Sequence, residues 1–96
     1  MKVGYLQFTP EFGKPEENIS KISELISEID FDLLVLPELA NSGYLFTDKK
    51  ELEDLSEEIG DGKFCNSLKK LCAQKNSFIV SGICERNGNN FFNSSI

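Results

Sequence analysis

The sequence contains no histidine, and residues of positive charge are scarce. Without histidine, these 96 residues cannot supply a Ser-His-Asp triad, a Cys-His dyad or a histidine-ligated metal site by themselves. The 10 lysine and arginine residues face 16 aspartate and glutamate residues, which gives a formal net charge of −6. Because nucleic acids and anionic membranes bind basic surfaces, we expect neither as a partner.

Cysteine is also sparse, with Cys65, Cys72 and Cys84 as the three thiols. An odd number cannot close a complete disulfide framework, and no two of them form the Cys-x-x-Cys pair typical of zinc sites. We therefore expect reduced thiols, a cytoplasmic protein and no bound metal. The apolar run at residues 33–36 is much shorter than the about 20 residues of a membrane span, and the first residues lack a signal-peptide core.

The composition is 40% apolar and 27% charged, which is typical of one small globular domain. Strand and helix patterns alternate, so we predict an α/β fold with parallel strands joined by helices. The expected strands are residues 2–8, 32–36, 77–84 and 91–96, and the expected helices are residues 15–29, 49–59 and 63–75.

Three local signals add detail to this prediction. Pro15 suits the first position of a helix, and Asp48 with Glu51 resembles a capping box. Residues 33–36 are apolar without alternation, which predicts a central strand covered on both faces. Asn87-Gly88 is a hairpin signal, so the last strand should run antiparallel to the strand before it.

The most informative residue is Glu38, which follows Pro37 directly after the apolar strand. Proline ends sheet pairing, so Glu38 should lie at the carboxyl edge of the sheet, where open α/β sheets bind ligands. A partly buried carboxylate there can accept a proton near neutral pH. Gly43 permits a tight bend that lets Tyr44 close over a pocket. From spacing alone, however, a glutamate in an ordinary exposed loop is the commoner outcome.

Residues 34–38 together with Gly43-Tyr44 resemble the first catalytic motif of the carbon–nitrogen hydrolase, or nitrilase-like, family. Residues 3–10, 82–86 and 91–95 resemble the family's neighbouring strands in the same order, so the resemblance covers nearly the whole chain. It implies an α/β fold that is the N-terminal part of a four-layer α-β-β-α sandwich.

The resemblance also implies chemistry. In the family a glutamate acts as general base for a cysteine nucleophile, and a lysine stabilises the tetrahedral intermediate. By position Glu38 is that catalytic base and Tyr44 is a substrate-binding residue that lines the pocket. No cofactor and no metal are implied, and the expected partner of the parent protein is a small-molecule amide substrate. The parent is also expected to be a homo-oligomer.

The family's catalytic lysine and cysteine follow the strand that here begins at Phe91. We therefore expect residues 1–96 to be the N-terminal part of a carbon–nitrogen hydrolase domain, ending before both residues and inactive alone. The three cysteines of this chain are expected to be core residues, because free cysteine is usually buried.

Two alternatives remain open at this point. A non-catalytic α/β binding or assembly module fits the missing lysine and cysteine. A flavodoxin- or receiver-like domain fits the alternation of strands and helices, but the Pro37-Glu38 pair and the Asn-Gly hairpin disfavour it. Nucleotide binding has no support, because a glycine-rich phosphate loop is absent.

Overall fold

The computed structural model describes all of residues 1–96. Its elements are β1 (Val3–Tyr5), α1 (Pro15–Ile26), β2 (Leu33–Val35), α2 (Lys49–Leu55), α3 (Lys63–Lys75), β3 (Phe78–Val80), β4 (Gly82–Asn87) and β5 (Asn90–Ser95). The predicted α/β class is confirmed. None of the helices is long and apolar enough to cross a membrane.

The strands form two sheets. β1, β2 and β3 are parallel in the order β1-β2-β3, which confirms β2 as the central strand. β4 and β5 form an antiparallel hairpin, as the Asn-Gly signal predicted. Gly88 opens the two-residue loop of this hairpin with a φ of 61°, where a type II′ turn requires glycine.

The strand predicted at residues 77–84 is in fact two strands, and the break falls at Ser81. The backbone of Ser81 exchanges hydrogen bonds of 3.0 Å with Ile96 in both directions. The chain therefore changes partner at this residue, from β2 on one side to the β5 end of the hairpin on the other. β4 also extends past residue 84, the expected end of this strand, and includes Glu85 and Arg86.

All three helices begin where the sequence predicted, but α1 and α2 end earlier. Pro15 starts α1, and the Asp48 carboxylate accepts the backbone N–H of Glu51 at 2.8 Å to cap α2. α2 ends at Leu55 rather than residue 59, because Glu57 turns away to pair with β4 through its backbone N–H and C=O. As a result Ile59 lies outside the helix and is exposed. α3 has the predicted bounds.

The core lies on one face of the parallel sheet. α1 and α3 pack against that face, which contributes Leu34 from β2. The fully covered side chains there include Ile22 and Ile26 from α1 and Phe64 from α3. The opposite face is exposed, so the expectation that β2 is covered on both faces is wrong within residues 1–96. The exposed apolar side chains on it are Val3, Tyr5, Val35, Phe78 and Val80.

Candidate active site

The loop that follows β2 carries Glu38 at the carboxyl edge of the sheet, as predicted. Leu36 still donates its N–H to Val80 at 2.8 Å, and Pro37, which has no N–H, then ends the pairing. The next turn is tight. Leu39 has a φ of 45°, and the N–H groups of Ser42 and Gly43 both return to the Leu39 carbonyl. A non-glycine residue in this region of backbone space is strained and is held there by its surroundings.

Gly82, the first residue of β4, binds the backbone on both sides of Glu38. Its N–H donates to the Pro37 carbonyl at 3.2 Å, and its carbonyl accepts the N–H of Ala40 at 3.1 Å. A Cβ atom at Gly82 would lie 2.6 Å from the Cα of Glu38, closer than real Cβ contacts allow. Only glycine therefore lets the Glu38 backbone approach β4 this closely.

Two buried asparagines brace the rest of the loop. Asn41 accepts the N–H of Cys84 at 2.9 Å through Oδ1, and its Nδ2 donates to the Cys84 carbonyl at 3.4 Å. Asn18 of α1 donates to the Asn41 carbonyl at 3.2 Å and exchanges hydrogen bonds with the backbone of Glu11. These contacts satisfy buried polar groups and tie the loop to α1 and β4 at once.

The Glu38 side chain is exposed, so the partial burial expected of it is not found in residues 1–96. Its Oε1 accepts a hydrogen bond from Nδ2 of Asn93 in β5, which lies 55 positions further along the chain. The Glu38 carboxylate forms no salt bridge. Its Oε2 accepts no hydrogen bond from the chain and is free to interact with a bound molecule.

Tyr44 lies beside a cleft of about 400 Å³ at the ends of β1 and β2. The cleft opens on the exposed face of the sheet, since Tyr5 and Val35 belong to its wall. Pro37 also lines it, which brings the residue before Glu38 to its edge. The wall is mostly apolar and contains no charged side chain; its members are Tyr5, Leu6, Gln7, Phe8, Val35, Leu36, Pro37 and Tyr44.

Two of the three cysteines lie in surroundings that do not favour reactivity. Cys65 and Cys84 are buried, as predicted, and Cys72 is half-buried. Burial raises the pKa of the Cys65 thiol and of the Cys84 thiol above the ordinary value, so both favour the protonated form. A nucleophilic cysteine needs the opposite environment.

Sequence reasoning did not identify the roles of Asn41 and Asn93. Asn41 is a buried polar residue in the loop behind Glu38, and a lone asparagine between small residues is a weak signal for such a brace. The contact of Asn93 with Glu38 joins β5 of the hairpin to the loop after β2, across 55 positions of the chain. No local pattern could reveal it.

This chain belongs to the carbon–nitrogen hydrolase family, whose model matches residues 2–96. It is 32% identical over 99 residues to a nitrilase of Pyrococcus abyssi (strain GE5 / Orsay), an alignment that covers 100% of this chain and 38% of that protein. It is 36% identical over 96 residues to a 2-oxoglutaramate amidase of Bacillus subtilis (strain 168), covering 96% of this chain and 35% of that protein. The family resemblance seen in the motifs is confirmed.

Solved structures share the fold. An N-terminal amidase with a Gln-Gly peptide superimposes with a TM-score of 0.90 at 19% identity, over 99% of this chain and 24% of that chain. The superfamily protein XC1258 from Xanthomonas campestris, with an arsenic adduct in its active site, gives 0.84 at 20% identity, over 99% of this chain and 35% of that chain. The chain thus corresponds to the N-terminal quarter to third of an α/β sandwich, and it spans about a third of the length of the curated relatives it matches.

Proposed function

We propose that residues 1–96 are the N-terminal part of a nitrilase-like amidohydrolase domain, with Glu38 as its general base. The whole protein would cleave a non-peptide C–N bond of a small-molecule amide. One observation carries the proposal: Glu38 lies exposed at the carboxyl end of the central strand, in a chain matched by the family over residues 2–96. The exposed apolar face of the sheet supports the view that further layers complete the domain.

The proposed chemistry assigns the base to this chain, and the cysteine and lysine to the remainder of the protein. Because a thiol of ordinary acidity is mostly protonated at neutral pH, it needs a neighbouring base. Glu38 would take the S–H proton as sulfur attacks the amide carbon, while the lysine stabilises the oxyanion. The same proton passes to the leaving amine. A water molecule, deprotonated by Glu38, then cleaves the thioester and releases a carboxylic acid and the free thiol.

An amide substrate is favoured over a nitrile. Two of the curated relatives are a 2-oxoglutaramate amidase and a protein N-terminal amidase, and amidase structures with bound peptides share the fold. Tyr44 would contact the substrate from the wall of the apolar cleft next to Pro37. The cytoplasmic location and the homo-oligomeric state of the whole protein stay predictions.

The decisive experiment replaces the base in the whole protein. Glu38→Gln keeps the shape and the hydrogen bond from Asn93 but removes the proton acceptor, so we expect kcat to fall by about 10²- to 10⁴-fold with unchanged folding. The matched control is Glu58→Gln, a similarly exposed glutamate away from the loop, which should leave kcat unchanged. Turnover of the Glu38→Gln variant near the normal rate would refute the proposed role.

A non-catalytic binding or assembly module is the second candidate. It is favoured by the absence of lysine from the cleft and by the burial of Cys65 and Cys84. The two candidates differ in one covalent event. After rapid quenching with an amide substrate, intact-mass measurement of the whole protein should detect an acyl-cysteine adduct if it is a hydrolase, and no adduct if it is a binding module.

A further inference from the structure

We propose that Asn93 is a positioning residue for Glu38, which orients the carboxylate so that Oε2 faces the proton to be removed. The inference rests on the proposed function of Glu38 as a base. Its structural basis is the hydrogen bond from Nδ2 of Asn93 to Oε1 of Glu38, which connects the hairpin to the loop after the central strand.

Four hydrogen bonds fix the hairpin relative to that loop, two between backbone groups and two with the Asn41 side chain. Gly82 of β4 bonds to Pro37 on one side of Glu38 and to Ala40 on the other. The backbone N–H of Cys84 in β4 donates to Oδ1 of Asn41, and the Cys84 carbonyl accepts a hydrogen bond from Nδ2 of Asn41. Asn93 lies directly opposite Cys84 in the antiparallel pairing, so its Cα is fixed by the same strand that fixes the loop.

The chemistry of the pair suits positioning. An exposed glutamate has three side-chain torsions and would otherwise sample several rotamers. Asparagine has a shorter side chain than glutamate. Its amide NH₂ group donates hydrogen bonds, and an ionised carboxylate can only accept them. Because Asn93 binds Oε1, the pair leaves Oε2 with no donor from the chain, in one defined direction.

If the hydrogen bond from Asn93 served only to stabilise the fold, its removal would lower the unfolding temperature rather than kcat alone. Glu38 and Asn93 are both exposed, and hydrogen bonds between exposed side chains contribute little to folding stability. A positioning role should therefore change kcat without changing the unfolding temperature, because a misplacement of about 1 Å at a reacting group can lower a rate by about 100-fold.

The test uses the whole protein with the variants Asn93→Ala, Asn93→Asp and Asn93→Gln. We expect Asn93→Ala to lower kcat by roughly 10- to 100-fold with KM within about threefold of the original value. Asn93→Asp is isosteric but places a second carboxylate beside Glu38, so its loss of kcat should be larger. Asn93→Gln keeps an amide donor and should retain more activity than Asn93→Ala. Asn90→Ala, an exposed asparagine of the same strand, is the matched control and should match the unmodified protein.

The inference is overturned if Asn93→Ala keeps kcat within twofold, or if its loss is accompanied by an equal loss in the Asn90 control or by a lowered unfolding temperature. It is also overturned if Asn93→Asp is as active as the original protein. Glu38→Gln measured in the same series separates the two proposals. Full turnover by that variant removes the proposed function, whereas its inactivity beside a fully active Asn93→Ala removes only the positioning role.

Discussion

The two faces of the parallel sheet are built from alternate residues of the same strands, yet their surroundings are opposite. On the covered face Leu34 is 5% exposed beneath α1 and α3. On the bare face the neighbouring Val35 is 40% exposed, and Tyr5 and Phe78 in the flanking strands are each 76% exposed. The pairing register aligns the residues of each face across all three strands.

The difference in exposure between the two faces indicates the environment for which each face is suited. A sheet with one face in water carries polar residues on that face, whereas a sheet between two layers carries apolar residues on both. The bare face here is as apolar as the covered one, which supports our proposal that further layers of the whole protein cover it. This agrees with the fraction of each relative that the chain spans.

The largest expected effect is the loss of stability when one phenylalanine on each side of the sheet is truncated in the whole protein. Phe64→Ala removes a ring that is 2% exposed on the covered side and should lower the free energy of unfolding by about 3–5 kcal/mol. Phe78→Ala should cost a similar amount, because we expect further layers to bury the bare face. Urea unfolding followed by circular dichroism measures both.

Leu45→Ala is the control for this pair. Leu45 is 74% exposed in the loop rather than in the sheet, so its truncation should change the free energy of unfolding by no more than about 0.5 kcal/mol. If Phe78→Ala costs as little as Leu45→Ala, the bare face is a true surface and the proposal of covering layers is wrong.

The covered side was the more predictable part. Phe64, Leu68 and Leu71 recur at helical spacing, so the bounds of α3 could be predicted from sequence. The Pro37-Glu38 pair likewise revealed where the loop begins, because proline acts on its own backbone. Features set by distant partners escaped prediction, such as the change of pairing at Ser81 and the contact between Asn93 and Glu38.

Substitutions at two glycines, one next to the Glu38 loop and one on the covered face, should have smaller effects on stability. Gly82→Ala places a Cβ 2.6 Å from the Glu38 Cα and 2.8 Å from the Pro37 carbonyl oxygen. Overpacking of this kind typically costs about 1–3 kcal/mol, and here it also displaces the proposed base. We therefore expect Gly82→Ala to lower both stability and kcat in the whole protein.

Gly4→Ala is the matched substitution on the covered face. The nearest atom to its new Cβ is Cδ1 of Leu34 at 3.8 Å, an ordinary contact, and the Gly4 backbone is not in the positive-φ region. Since alanine also restricts the unfolded chain, we expect stability to rise by about 0.4–1 kcal/mol with kcat unchanged. Equal effects of the two substitutions would show that the close approach at Gly82 does not constrain the loop.

The smallest expected effect is a pH dependence of the free energy of unfolding, caused by the buried Cys65 thiol on the covered side. Burial raises the pKa of this thiol in the folded protein, so the folded state retains its proton when the unfolded state has lost it. The resulting contribution to stability is complete below the thiol's unfolded pKa and disappears as pH rises through the folded pKa.

In reducing buffer, the free energy of unfolding should therefore fall more steeply above pH 8.5 for the original protein than for Cys65→Ala. Ser67→Ala, at a residue of the same helix that does not ionise in this pH range, is the control and should keep the original slope. Parallel curves for the original protein and Cys65→Ala up to pH 10 would mean that the Cys65 site is open to water, and the covered side would then be less well sealed than its packing indicates.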